Sequence, residues 1–189
     1  MKSLQLSRPY AIMMVGIPGS GKSFFASKFA DTFSAPYIDL ADIDPLSRDI
    51  DAAGEMTIKF LSEITKTKQT FIFEGNSGTR ARRTEFARWA RERNYVPLFV
   101  WTQTDQTTAK KRCAKLGSHS KEQFADEIRD FSQPHPDEKP VVISGKHTFA
   151  SQARTVLNYL GRQNRPAAAS PITTPKRPPV VAGRSVTVR

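Results

Sequence analysis

The stretch Gly16-Ile17-Pro18-Gly19-Ser20-Gly21-Lys22-Ser23 fits the pattern G-x-x-x-x-G-K-[ST] at each fixed position. Before it, residues 10–15 (Tyr-Ala-Ile-Met-Met-Val) form an apolar run of strand length, and after it residues 23–30 carry apolar side chains at helical spacing. A strand, a glycine-rich loop and a helix in this order are the context that a phosphate-binding loop requires. The alternative is a turn that merely joins a strand to a helix, and it is disfavoured because both flanks match.

The loop has a specific chemistry with polyphosphates. Its glycines let the backbone wrap the ligand, and the N–H groups of the loop and of the helix N-terminus carry positive partial charge. Lys22 is expected to reach the terminal phosphates, and the hydroxyl of Ser23 is placed to ligate Mg²⁺ that bridges two of them. The predicted nucleotide-binding residues are Gly16, Ile17, Pro18, Gly19, Ser20, Gly21, Lys22, Ser23 and Phe24.

Positive charge is concentrated at the C-terminal end of the chain. The net charge is +11 over 189 residues, and residues 162–189 contain six basic residues, five prolines and no acidic residue. Because this segment has few large apolar side chains to offset the entropy of ordering, we predict a disordered tail over 162–189 and one domain over 1–161. The tail is interpreted either as an inert solubilising segment or as an arm that binds polyanions.

The remaining composition narrows the class of protein. No apolar run approaches the length of a membrane-spanning helix, and the N-terminus lacks the apolar core of a signal peptide, so a cytoplasmic protein is expected. Cys113 is the only cysteine, which excludes an intramolecular disulfide and a multi-cysteine metal site.

Strand-like and helix-like segments alternate along the chain, which predicts an α/β fold with three layers, α/β/α, around a parallel five-stranded sheet. The predicted strands are residues 10–16, 37–40, 70–74, 95–101 and 141–145. The predicted helices are residues 21–34, 55–67, 79–94, 104–116, 121–131 and 147–161.

Carboxylates follow two of the predicted strands. Asp42 and Asp44 come just after the second strand, and Glu74 ends the third. Since ligands of open parallel sheets bind at the carboxyl ends of the strands, one of the aspartates is a candidate general base and Glu74 a candidate contact to Mg²⁺ through water. The alternative is structural: the aspartates as a helix cap and a turn residue, and Glu74 as an anchor for the next turn.

The predicted helix over 79–94 is rich in arginine. It is interpreted either as a face that binds polyanions, for which the forked donors of arginine are suited, or as a solvated face whose partners are Glu85 and Glu92. Its arginines are Arg80, Arg82, Arg83, Arg88, Arg91 and Arg93.

Taken together, these features resemble the P-loop kinase group that includes polynucleotide 5′-hydroxyl kinases, zeta-toxin-like kinases and small AAA-type ATP-binding proteins. The resemblance covers residues 8–161 and implies a P-loop NTPase fold of the nucleoside-kinase type. It rests on the phosphate loop, the acids after the second strand, the Glu74-Gly75-Asn76 strand end with its arginine-rich helix, and the approach to the last strand through Phe131, Pro134, Pro136 and Glu138.

The resemblance implies ATP as phosphoryl donor and Mg²⁺ as cofactor, with Ser23 and Glu74 at the metal. By position, Asp42 or Asp44 matches the family's catalytic aspartate and Arg48 its substrate-side arginine. Arg112, with Lys110 or Lys115, matches the lid arginines that clamp the transferring phosphate, and the alternative for Arg112 is a solvated helix face. The family usually places the substrate-side arginine three residues after the aspartate, whereas Arg48 follows Asp44 by four residues and Asp42 by six.

The expected function is therefore ATP-dependent phosphorylation of a hydroxyl, catalysed by Lys22, Asp42, Asp44, Arg48 and Arg112. A nucleic-acid 5′-hydroxyl is the preferred acceptor because of the basic helix and the basic tail. Two alternatives stay open. One is a kinase for a small molecule or nucleotide sugar, and the other is an ATP-binding regulatory module with slow ATPase activity that engages nucleic acid or a partner through its tail.

Overall fold

Strand β1 (Tyr10–Val15) is buried at all six positions, as expected for a continuous apolar run inside a parallel sheet. In the computed structural model, which describes Leu4 and residues 6–163, the other strands are β2 (Tyr37–Asp39), β3 (Phe71–Glu74), β4 (Val96–Gln103) and β5 (Val141–Ser144). The helices are α1 (Lys22–Phe33), α2 (Leu40–Ile43), α3 (Ile50–Lys66), α4 (Arg80–Glu92), α5 (Gln106–Leu116), α6 (Lys121–Asp130) and α7 (Phe149–Gln163).

The sheet has the order β2-β3-β1-β4-β5, and every pair of neighbouring strands is parallel. This arrangement confirms the predicted α/β fold with a parallel five-stranded sheet. Because β1 lies in the middle and its neighbours are β3 and β4, the loop that follows β1 emerges at the point where the strand order switches direction. That point is where open parallel sheets bind ligands.

Alternate residues of β1 pack into two separate cores. Ile12 and Met14 face one side of the sheet, where α1 and α7 contribute Phe25, Phe29 and Val156. On the other side, Ala11, Met13 and Val15 pack with residues of α3 and α4. The period of two along the strand therefore divides the molecule into the three predicted layers.

The segment between β2 and α3 differs from the prediction. The Oδ1 of Asp39 accepts a hydrogen bond from the backbone N–H of Ala41 (3.0 Å), which starts the unpredicted short helix α2. Asp49 likewise accepts from the backbone N–H of Ala52 (2.8 Å), so that α3 begins at Ile50 rather than at residue 55. In both cases a side-chain cap satisfies the unpaired N–H groups of a helix start before the apolar spacing becomes visible in the sequence.

Pro97 lies near the start of β4, which is an interior strand and not an edge strand. Its Cα pairs with that of Ala11 in β1, whereas β5 pairs with β4 only from Val100 onward. The side of β4 that faces β5 is therefore locally an edge at Pro97, which is where a residue without an N–H donor is tolerated.

The last helix, α7, ends at Gln163, two residues beyond the predicted end of the domain at residue 161. Residues 164–189, which make up most of the predicted basic tail, lie outside the described residues, so the tail stays a prediction. Among Leu4 and residues 6–163, no helix is long and apolar enough to cross a membrane.

The arginine-rich helix α4 is not uniformly solvated, because Arg83 is fully buried (0% exposed). Its Nε and Nη2 donate to the two carboxylate oxygens of Glu138 at 2.8 and 3.1 Å, and its Nη1 donates to the backbone oxygens of Ser77 and Ser132 at 2.9 Å each. Arg83 thus ties the end of β3 and the approach to β5 to α4. Its role is structural, which neither sequence interpretation of this helix included.

Arg83→Met is expected to lower the free energy of unfolding by about 3–5 kcal/mol, because it leaves the Glu138 carboxylate buried without its cation. Urea denaturation measures the loss. The matched control is Arg88→Met, an exposed residue on the same helix, which should change stability by no more than about 0.5 kcal/mol. Equal stability of both variants would show that the buried pair does not hold this corner of the fold.

The same pair predicts a pH dependence. Burial raises the pKa of Glu138, but the hydrogen bonds from Arg83 and from the His135 N–H and the charge of Arg83 outweigh burial, so the pKa is lowered overall. Its contribution to stability is therefore present above the ordinary glutamate pKa and is lost as pH falls through the lowered value. Unfolding measured against pH should show a smaller loss in this acid range for Arg83→Met than for the wild type.

Candidate active site

The phosphate loop presents free backbone donors at the start of α1. That helix begins at Lys22, its N-cap residue Gly21 has φ 101°, and no side chain caps it. The first N–H groups of an α-helix have no intrahelical acceptor, so an anion is their natural partner. The loop therefore has the geometry that the sequence predicts for phosphate binding.

The loop is held close to the end of β4. A Cβ atom at Gly16, where φ is +149°, would lie 2.7 Å from the Thr102 carbonyl oxygen and 2.8 Å from the Ser20 Oγ. A side chain is thus excluded at Gly16 both by its conformation and by its surroundings.

Lys22 and Ser23, at the end of the loop, donate hydrogen bonds to different partners. The Nζ of Lys22 donates to the Ile17 carbonyl oxygen at 3.2 Å, within the loop itself. The Oγ of Ser23 donates to Oε1 of Glu74 at 2.9 Å, across the sheet at the end of β3. Ser23 and Glu74, both predicted to contact the metal, are therefore adjacent.

Glu74 belongs to a network that includes two residues of β2. The register of the sheet places Asp39 beside Glu74. The Tyr37 hydroxyl lies between their carboxylates, 2.9 Å from Oδ2 of Asp39 and 3.0 Å from Oε2 of Glu74. One hydroxyl proton is thus shared between two acceptors beside the phosphate loop.

Burial shifts the titration of this network. It raises the pKa of Glu74, against which the charge of Lys22 and the hydrogen bonds from Ser23 and Tyr37 act in the opposite direction. Burial also raises the pKa of the Tyr37 phenol, and the charges of Glu74 and Asp39 raise it further, so Tyr37 stays a neutral donor. The carboxylate of Glu74 is held at the site at an energetic cost.

This donor set fits Mg²⁺. The Ser23 hydroxyl and the Glu74 carboxylate are oxygen donors at the first turn of α1, and Mg²⁺ in phosphate sites takes one or two protein oxygens together with phosphate oxygens and water. Within the described part of the chain, no group of three or more His, Cys, Asp or Glu side chains could hold a metal ion alone. The residues present suit a metal that arrives with a nucleotide.

A cleft of about 640 Å³ opens beside this network. It is lined by the phosphate loop, the ends of β2 and β3, α2, the start of α4, and α6 with the segment before it. Asp44 lines the cleft, whereas Asp42 lies exposed on α2 outside it and Arg48 is exposed after the short 3-10 turn. The structure thus places one of the two candidate bases, Asp44, at the cleft.

A second pocket, of about 550 Å³, lies on the other side of Lys22. Arg112 of α5 lines it and donates to the carbonyl oxygen of Gly145 at 2.9 Å and to those of Gly19 and Ser20 at 3.4 Å each. Its guanidinium therefore braces the phosphate loop against the segment after β5, and its positive charge stays at the phosphate-binding end of the molecule.

Sequence reasoning missed two parts of the site. The strand prediction for residues 37–40 gives Tyr37 and Asp39 no role at the site. An acid at the end of the second strand nevertheless lies at the same edge of the sheet as Glu74. The segment Gly145-Lys146-His147, which lines the second pocket, carried no recognisable motif. Only the packing of this segment on the phosphate loop identifies it.

The similarity of the chain to known proteins agrees with this geometry. A family model described as an AAA domain matches residues 12–134, which include the phosphate loop and the strand ends around the cleft. The chain belongs to this AAA domain family. Among curated proteins, no sequence matches the chain significantly.

Solved structures with the same fold include kinases. A gluconokinase from Sinorhizobium meliloti has a TM-score of 0.61 at 16% identity and covers 82% of this chain and 94% of its own. Chaetomium thermophilum Kti12 in complex with ADP-AlF3 has a TM-score of 0.64 at 13% identity, with 82% and 100% covered. A chain of the Pnkp1/Rnl/Hen1 RNA repair complex has a TM-score of 0.55 at 21% identity, with 65% and 44% covered. This AAA domain protein thus has a P-loop kinase fold.

Glu74→Gln is expected to raise the thermal unfolding temperature of this AAA domain protein at pH 8, because the substitution removes a charge that burial disfavours. A raised pKa means that the folded state binds the proton more tightly, so the wild type loses stability as pH rises through that value. The gain in the variant should therefore shrink as pH falls. A variant less stable than the wild type at pH 8 would contradict this reading of the buried carboxylate.

Gly145→Ala is expected to weaken nucleotide binding by about tenfold or more, because a methyl group there would collide with the Ser20 carbonyl oxygen and the Thr104 hydroxyl and push the segment away from the loop. Calorimetric titration with ADP measures the affinity. Gly161→Ala in α7 is the matched control, since its Cβ would meet nothing within 4 Å. Unchanged affinity for both variants would show that this contact does not position the loop.

Proposed function

We propose that this protein is an ATP-dependent phosphotransferase that phosphorylates a hydroxyl group. One observation carries the proposal: the Ser23 hydroxyl at the start of α1 meets the Glu74 carboxylate at 2.9 Å, at the mouth of a cleft that also holds Asp44. A phosphate loop alone would suit any nucleotide-binding protein. A polar metal site that opens onto a cleft with a free carboxylate suits transfer to a second substrate.

The nucleotide occupies the phosphate loop and the second pocket in this proposal. Lys22 and the backbone N–H groups of the loop hold the phosphates, and Ser23 and Glu74 would hold Mg²⁺. When bound, Mg²⁺ draws negative charge from the phosphate oxygens. Arg112, whose Nη1 would lie 3.8 Å from a Cβ atom at Gly21, adds positive charge beside the loop and keeps it in place.

Transfer requires a base on the acceptor side. The acceptor oxygen forms a bond to the γ-phosphorus, the bond from that phosphorus to the bridging oxygen breaks, ADP leaves with the electron pair, and the hydroxyl proton passes to a carboxylate. Asp44 is the better placed of the two candidates because it lines the cleft. Arg48, which is exposed, is assigned to the approach of the acceptor, whereas Asp42 is exposed outside the cleft lining and is given no role in the transfer.

A nucleic-acid 5′-hydroxyl, which the sequence favours, is one candidate for the acceptor, and a small molecule or nucleotide sugar is the other. Arg82 lines the cleft, and Arg80 and Arg88 are exposed on the same helix, before and after it, which supports contact with a phosphate backbone. An alternative function is that of a regulatory module that hydrolyses ATP slowly, which predicts release of free phosphate without transfer. The basic tail could bind nucleic acid under both the kinase and the regulatory function.

Transfer of labelled γ-phosphate from ATP and Mg²⁺ to sugars, nucleosides and 5′-hydroxyl oligonucleotides tests the proposal, with Lys22→Ala as the blank. We expect Asp44→Asn to lower kcat by about 100-fold or more, as loss of a general base does, and Asp42→Asn to change it by less than about threefold. Asp42→Asn is the matched control because it removes the same charge from the neighbouring turn.

Two results would contradict the proposal. Label released only as free phosphate, with no acceptor modified, would favour the regulatory module. A large loss in Asp42→Asn with little effect of Asp44→Asn would move the base to α2 and require the segment between β2 and α3 to rearrange when substrates bind.

A further inference from the structure

The cleft beside the phosphate loop is acidic although the chain as a whole is strongly basic, with a net charge of +11. Among the described residues that line it, the permanent cations are Lys22 and Arg82, and Lys22 belongs to the nucleotide. The carboxylates outnumber them. They come from β2, the turn after it, β3 and α6, and they are Asp39, Asp44, Glu74, Glu127 and Asp130.

The neighbouring basic side chains are engaged elsewhere. Arg83 is buried against Glu138, and Lys115 and Lys146 line the second pocket on the far side of Lys22. Arg129, next to Asp130, is divided between Asp130 and Asp126, at 3.2 and 2.8 Å. These four cations are therefore kept out of the cleft or offset at its edge, and Arg48 is exposed outside the cleft lining.

The side chains that line the cleft where the second substrate would bind mostly accept hydrogen bonds. Arg82 donates to the Asn76 side-chain oxygen at 3.1 Å, which holds its guanidinium at one wall. His119 lies 3.2 Å from a carboxylate oxygen of Glu127, so a charge on this imidazole would be balanced within the wall itself. Asp44 lines the cleft, and Asp130, which shares Arg129 with Asp126, lines it at the edge. Carboxylates in these positions suit hydroxyl or ammonium donors and disfavour a second phosphate.

We propose that the hydroxyl acceptor is a small polyol or amino-polyol that carries no phosphate group. The inference rests on the proposed function and specifies its second substrate. Hydroxyls of the acceptor donate to the carboxylates of the turn after β2 and of α6, and an amino group is tolerated there. A polynucleotide, by contrast, would place its phosphates against the same carboxylates, where like charges repel at short range.

Matched acceptors test the charge requirement. The kcat/KM for labelled phosphate transfer is measured for glucose, glucosamine and myo-inositol, and for glucose 1-phosphate and a 5′-hydroxyl decathymidylate. We expect transfer to at least one phosphate-free compound, with kcat/KM about tenfold or more above that of either phosphate-bearing compound. A phosphate-bearing compound as the better acceptor overturns the inference and leaves the kinase activity standing.

A charge variant adds a readout on the acidic wall itself. Glu127→Gln combined with Asp130→Asn should raise kcat/KM for glucose 1-phosphate relative to glucose about tenfold, with the KM for ATP unchanged. Glu85→Gln, exposed on α4 outside the cleft, is the matched control and should leave the ratio unchanged. An unchanged ratio in the double variant overturns the inference. Free phosphate with no labelled acceptor anywhere in the panel overturns the proposed function and this inference with it.

Discussion

The close packing of the phosphate loop on the carboxyl ends of the strands positions Lys22 and Ser23 at the start of α1. Gly16 lies against the Thr102 carbonyl at the end of β4, and the Thr104 hydroxyl donates to the Ser20 carbonyl oxygen at 3.2 Å. The same packing brings Ser23 to Glu74. A loop packed this closely against the strand ends has less freedom to lose when it binds a ligand, which lowers the cost of ordering it.

Two largely buried carboxylates, those of Glu138 and Glu74, differ in the groups that donate hydrogen bonds to them and in the direction of their pKa shifts. Glu138 meets Arg83 with two hydrogen bonds, which outweigh the cost of burial and depress its pKa. Glu74 has only neutral hydrogen-bond donors in Ser23 and Tyr37, and the pKa of Glu74 is raised. A carboxylate without its own cation is unfavourable in the free protein, and it is the kind of group that a metal ion stabilises.

The distribution of charge carries more information than its sum. A net charge of +11 suggests a polyanion as partner, yet most of the charged residues that line the cleft beside the phosphate loop are carboxylates. The arginines of helix α4 divide in the same way, since Arg83 is buried, Arg82 borders the cleft and Arg88 faces solvent. Affinity for nucleic acid, if the tail provides it, is therefore separable from the chemistry of the cleft.

The sequence by itself determined the α/β class and the phosphate loop, and it singled out Glu74 at the end of the neighbouring strand. These features depend on local signals: the glycine pattern, the alternation of apolar runs with amphipathic helices, and a carboxylate at a strand end. It could not choose between Asp42 and Asp44. Two aspartates so close in the chain have nearly the same sequence context, and they differ only in where the fold places their side chains. Only the tertiary structure placed Asp39 and Tyr37 beside Glu74, buried Arg83 and brought Gly145 onto the loop. Each of those depends on contacts between segments far apart in the chain, whose geometry is decided by how strands and helices pack and is invisible in the spacing of residues.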